Sequence, residues 1–288
     1  MAVFLINDKQ VHSYEQLLAE INGSQSYYPL YKQPDLFLYF SNLIKALSSN
    51  VPLILLDADL NANEIGGVDE SRMNVAETLP VKGEITIEEV IAAVQNSSSQ
   101  ITIFTSGTTG QPKKVVHNVQ NLTRSVRQGE KYNGQIWAYA YNPTHMAGLQ
   151  VFFQTFMNQN TLVNVFNKSR SEVYELIECQ KVTHISATPT FYRLLLPFEK
   201  EYPLVQRVTL GGEKSDSKLY DNITKIFPSA KINNVYASTE AGSLFAAKGD
   251  AFQLPEKLRN KFKIVDDELL IHRSLLGQSD NFRFEDDY

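Results

Sequence analysis

Apolar residues in this chain change their spacing every ten or so positions, and the changes divide it into short helical and extended segments. "VPLILLD" (51–57) is a continuous apolar run, as a strand buried on both faces requires. "SYEQLLAEI" and "TIEEVIAAVQ" place apolar residues at helical spacing. Each opens with a capping box, Ser13 with Gln16 and Thr86 with Glu89. From "QITIFTS" onward the alternation is regular: helical "NVQNLTRSVRQGE", extended "QIWAYAY", helical "GLQVFFQTFMN", extended "TLVNVF", helical "SRSEVYELIECQ", extended "THISA". It continues with helical "TPTFYRLLLPF", extended "VQRVTL", helical "SDSKLYDNITKIF" and extended "AKINNVY". Strands separated by helices imply crossovers, so the expected fold class is α/β, with parallel sheets flanked by helices in two lobes. Beyond about residue 243 the pattern changes to two short strands, "KFKIV" and "ELLIH", around a turn at Asp266 and Asp267. The expected organisation is α/β lobes over 1–243 and a small β-rich annex of the same domain over 244–288.

At 288 residues the chain can bury a substantial core. The single cysteine, Cys179, excludes an intramolecular disulfide, and its place in an amphipathic segment predicts a packed or half-buried thiol. No apolar run approaches the ~18 residues of a membrane span, and "MAVFLINDKQ" lacks the charged start and long apolar core of a secretory signal. A cytoplasmic setting is the expectation. The net charge of −5 and the scattered lysines argue against a nucleic-acid footprint.

"TSGTTGQPKK" (105–114) directly follows an extended segment, the place where parallel α/β sheets hold ligands. Glycines let backbone N–H groups close on an anion, the hydroxyls of Ser106, Thr108 and Thr109 add donors, and Lys113 adds a mobile positive charge. Composition alone leaves two readings, a phosphate cradle and a polar loop of turn residues. It is not a Walker loop, because Gly110 is followed by Gln, Pro and Lys. "STEAG" (238–242) is likewise either part of a site or an ordinary helix start with an acid in its first turn. The five histidines show no metal-ligand spacing.

The 105–114 string resembles, nearly letter for letter, the signature loop of the adenylate-forming enzymes, which include acyl-CoA synthetases, nonribosomal adenylation domains and luciferase. Further segments resemble that family in the same order: "VPLILLDADLNANEI", "YNPTHMAGLQ", "TLGGE", "NNVYASTEAG" and "DDELLIH". The resemblance implies the family's N-terminal domain and assigns roles. Thr105, Ser106, Gly107, Thr108, Thr109 and Gly110 would surround phosphates, with Lys113 among them. Gly211, Gly212, Glu213 and Asn234 would line the nucleotide site, with Tyr236 stacked on adenine. Thr239 would hydrogen-bond the α-phosphate, and Glu240 would hold Mg2+, a hard cation suited to carboxylate oxygen. A carboxylic acid would lie among His145, Gly148, Thr188, Pro189, Gly211 and Ala237, with Phe152, Phe153 and Phe191 as apolar neighbours or as core. Lys113, His145, Thr239 and Glu240 are the implied catalytic set.

The implied activity uses ATP and Mg2+ to activate an acid as its acyl-adenylate, then transfers it to the thiol of coenzyme A or of a carrier protein's phosphopantetheine. A ligase that loads an acyl carrier protein and a non-catalytic nucleotide- or acyl-binding form of the fold are the alternatives. The family's Thr-Gly-Asp motif and lysine-bearing C-terminal domain do not follow "DDELLIH", so the sequence is expected to represent the large N-terminal domain. The short region ahead of the loop resembles compact members such as o-succinylbenzoate-CoA ligases. Ala237 stands where the family has glycine beside the acid, which predicts less room for a bulky planar group. Lys114 replaces a second glycine, leaving open which lysine faces phosphate.

Overall fold

The computed structural model describes residues 2–58, 68–80, 83–105, 112–248, 251–280, 282–284 and 287–288, the side chains of Thr105 and Lys248 excepted. Among the described residues two sheets carry the fold. The larger has nine strands in the spatial order Ala251–Phe252, Gly242–Lys248, Lys231–Ser238, Arg207–Gly211, His184–Ala187, Ile136–Tyr139, Thr161–Asn164, Val3–Asn7, Gln10–Ser13. Its centre is parallel, as the crossovers predict, and both edges turn antiparallel. The smaller sheet sets Leu30–Lys32, Leu53–Leu56 and Gln100–Thr105 parallel, with Lys113–Asn118 antiparallel at its edge.

Alternation along the strands explains the two main cores. Leu5 and Leu162 belong to one cluster, whereas their neighbours Ile6 and Val163 belong to the other, as side chains pointing to opposite faces must. The first cluster joins both sheets. It unites Phe4 and Tyr139 of the large sheet with Leu53, Ile101 and Val115 of the small one through the helices Leu36–Ser48 and Met146–Phe156. The second lies on the opposite face of the large sheet under the helices Arg170–Cys179, Pro189–Leu194 and Ser217–Ile226.

Several expectations change. The helix expected across "NVQNLTRSVRQGE" is limited to Val119–Thr123, capped by Asn118, and Gly129 beyond it has φ of 122°, a conformation no helix continues through. The expected boundary at residue 243 falls inside the strand Gly242–Lys248, which pairs with Lys231–Ser238 and so extends the large sheet. The hairpin does form, with Phe262–Val265 against Glu268–Ile271. Cys179 is exposed at the end of its helix, because Val173 and Ile177 form that helix's buried stripe. No helix among the described residues is long and apolar enough to cross a membrane.

Candidate active site

The strand Lys231–Ser238 turns back at Thr239–Ala241 into its antiparallel partner, so "STEAG" is a strand-to-strand turn and not a helix start. Its backbone is fixed from outside. Nε2 of the buried His117 lies 2.9 Å from the Thr239 carbonyl oxygen. The Gly277 N–H donates to the Glu240 carbonyl at 2.7 Å. The Arg124 guanidinium donates to the Ala241 carbonyl and, at 3.2 Å, to that of Leu275. Three successive carbonyls are thereby held, and the side chains of Thr239 and Glu240 are not needed to hold the turn. Because a carbonyl only accepts, His117 must carry its proton on Nε2; Nδ1 is buried without a partner. Burial therefore holds its pKa at about 4, despite the opposing bond to Thr239.

His117 also locates the lysines. Lys113, Val115 and His117 alternate along the strand Lys113–Asn118, so Lys113 shares the face that meets Thr239; it is half-buried, whereas Lys114 is exposed. Thr105 pairs with Lys113 across the ladder. Ser106, Gly107, Thr108, Thr109 and Gly110 lie outside the described residues, as does the Thr105 side chain.

A groove of about 840 Å³ lies between the large sheet and the helix Met146–Phe156, and His145, Thr188, Gly211, Gly212, Ala237 and Thr239 all line it. These residues cluster at the carboxyl ends of the parallel strands, where α/β sheets bind ligands. His145 occupies the N-cap position of the helix without capping it, so its ring is available; desolvation lowers its pKa, with the Asp57 charge acting the other way. The preceding turn is organised by Asn142, whose amide donates to Asp57 and whose Oδ1 accepts from Thr144 N and Oγ at 2.9 and 2.8 Å.

The remaining expected residues support this wall from outside the groove. Gly148 is buried with its Cα against the Asn142 carbonyl, and Pro189 is buried in the first turn of its helix. The Glu213 carboxylate accepts from Thr190 N at 3.0 Å and Thr190 Oγ1 at 2.6 Å, fastening the Gly211–Gly212 turn to that helix. Asn234 donates to Ser215 Oγ at 3.0 Å. Tyr236 stacks on Phe245 with centroids 4.9 Å apart, meets Phe252 edge-on, and keeps 37% of its surface exposed. Phe152 and Phe153 are core residues; Phe152 stacks on Phe40 at 4.5 Å, and neither phenylalanine lines the groove.

The groove thus lies at the carboxyl edge of a parallel sheet, with a basic strand on one side and a braced Thr-Glu turn on the other. The AMP-binding enzyme family matches residues 43–269, and the chain belongs to that family. It is 29% identical over 203 residues to the D-alanine–D-alanyl carrier protein ligase of Lactococcus lactis, covering 62% of this chain and 40% of that protein. It is 28% identical over 189 residues to the 2-succinylbenzoate–CoA ligase of Bacillus pumilus, covering 63% and 38% respectively. The chain thus spans less than half the length of these two relatives. The o-succinylbenzoate CoA synthetase of Bacillus subtilis, solved with its acyl-adenylate intermediate, shares the fold at a TM-score of 0.69 and 17% identity, covering 99% of this chain and 71% of that one.

Proposed function

We propose that this chain is the nucleotide- and acid-binding part of an AMP-forming acid–thiol ligase. The braced turn carries the reading: the Thr239, Glu240 and Ala241 carbonyls are all engaged by distant residues, which pre-positions two side chains beside the groove and Lys113. In the first half-reaction an acid held near His145 and Gly211 attacks the α-phosphorus of ATP. A new C–O–P linkage forms, the bond to the bridging oxygen breaks, and pyrophosphate leaves with that electron pair. Thr239 Oγ1 orients the α-phosphate, Lys113 takes up charge on the phosphates, and the exposed face of Tyr236 receives the adenine. Glu240 is the residue suited to hold Mg2+, which when bound supplies charge neutralisation on the phosphates. In the second half-reaction a thiol adds to the acyl carbon and AMP departs. Coenzyme A and a carrier-protein phosphopantetheine both fit as the thiol, since one relative is a CoA ligase and another a carrier protein ligase.

An acyl-sulfamoyl adenosine, which fills nucleotide and acid sites at once, tests this on the chain itself. Calorimetry should find it binding at least about tenfold tighter than AMP. In Glu240→Gln, binding of Mg–ATP should fall to the level of ATP without Mg2+, with an unchanged melting curve. An analogue no tighter than AMP would overturn the reading.

A further inference from the structure

The groove does not stop at the residues assigned to the acid's carboxylate. Sheet residues at alternate positions face it in successive tiers: Thr188 and Gly211 at the carboxyl end, then Ser186 and Thr209, then Trp137, His184 and Arg207 in one cross-strand row. The first and last tiers are four residue steps apart, about 13 Å at ~3.3 Å per residue. The opposite wall keeps the same order. His145 stands at the start of the helix Met146–Phe156, Gln150 at its middle and Gln154 toward its end, a span of about 13 Å at ~1.5 Å rise per residue. Both walls therefore define one elongated site.

Its chemistry is uneven along that length. Arg207 lies beside His184 in the last tier, and Arg127 and Lys131 line the same end, where Arg127 N donates to Gln154 Oε1 at 2.9 Å and Gln154 Nε2 returns a bond to the Arg127 carbonyl at 3.0 Å. Among the described residues none of these three cations forms an ion pair, and no aspartate or glutamate lines the groove. Midway, Gln150 is nine-tenths buried; its Oε1 accepts from Ser243 at 2.8 Å, while Nε2 is buried without a partner. Ser186, Thr209 and Asn233 give the middle a polar wall. A plain hydrocarbon tail would gain little here, whereas a second negative charge would meet three cations and no competing carboxylate.

We propose that the far end of the groove binds a second anionic group of the acid, so that the substrate class is a dianionic acid whose two charges lie roughly 13 Å apart. The proposal rests on the ligase reading, which supplies the other end of the molecule. Arg207 is the principal contact, being half-buried and in register with His184, and Arg127 and Lys131 form the rim.

Calorimetric titration of the chain with sebacate and with its monoacid counterpart decanoate, each in the presence of AMP, tests it. Sebacate should bind at least about tenfold tighter. Arg207→Gln should remove most of that preference while leaving decanoate unchanged, and the rim variant Arg127→Gln/Lys131→Gln, which alters exposed side chains, should reduce it in the same direction. Equal affinity for the two acids, each strengthened by AMP, would overturn the inference and leave the ligase reading standing. So would loss of coenzyme A binding in Arg207→Gln with sebacate unaffected, since the cations would then serve the phosphates of the acceptor. If neither acid nor AMP binds, both readings fall.

Discussion

A side chain on residue 148 would have nowhere to go. Any Cβ there would strike the Asn142 carbonyl oxygen and lie 2.8 Å from the Tyr139 hydroxyl, so the helix can approach the His145 turn only because the residue is glycine. Backbone cannot swing aside as a flexible side-chain tip can. Gly148→Ala should therefore cost about 1–3 kcal/mol in urea unfolding, with acid preference unaltered in the folded fraction. A stable variant with a changed preference for acids would place Gly148 in the acid site instead. The sequence marks this residue through its motif, but not what its missing Cβ avoids. The same limit hides His117, Arg124 and Gly277. Their contacts with the Thr-Glu turn span 122 residues for His117 and 117 for Arg124, and no local spacing encodes such a pairing. What could have singled out His117 is its place, a polar ring on the buried face of an alternating strand beside Val115.

Elements with a local cause were legible, and those shaped by their surroundings were not. Both capping boxes form as the spacing predicts, with Ser13 and Gln16, and Thr86 and Glu89, exchanging bonds at their helix starts. The helix Leu36–Ser48 is missing from the sequence reading although its polar residues Ser41, Asn42, Lys45 and Ser48 share one side. That side is buried too, with Asn42 bonded to the Tyr28 backbone and Lys45 paired with Glu20, so the stripe does not mark a solvent face. The strand Lys113–Asn118 is hidden by the two lysines that open it. The Asp266–Asp267 turn was legible, and the structure adds a strain that the letters do not show: φ is 49° and 63° at the two aspartates, the left-handed pair that closes a two-residue hairpin. Asp267→Gly removes the Cβ from that conformation, and Asp266→Asn tolerates it better, so the double variant should stabilise the hairpin by about 1 kcal/mol. Slower exchange of the Phe262–Ile271 ladder amides would show it. Unchanged exchange would mean that the ladder opens by a route the turn does not control.

At the scale of the molecule, the two sheets meet through a ring that can titrate. His117 belongs to the strand that the two lysines open, yet its bond is to the turn of the other sheet, and a proton added at its Nδ1 would find no acceptor. His184, stacked on Trp137 beside Arg207, is also held near a pKa of about 4, first by burial and then by the guanidinium charge. In the unfolded chain both rings titrate near 6.5. Between those values the unfolded state binds protons that the folded state refuses, so the neutral rings contribute stability fully above about pH 6.5 and lose it as the pH falls toward 4. Below that, both states are protonated and no further loss comes from these groups. Each ring accounts for up to about 3 kcal/mol, so the two together are a large share of the roughly 5–15 kcal/mol that holds an ordinary domain folded. Urea midpoints should therefore drop steeply from pH 7 to pH 5. His117→Gln, which keeps a donor for the Thr239 carbonyl but cannot take up a proton, should flatten that slope even where it lowers stability at pH 7. A slope that the substitution leaves untouched would mean that water already reaches His117, and that the two sheets are joined at the site less tightly than its 2.9 Å bond requires.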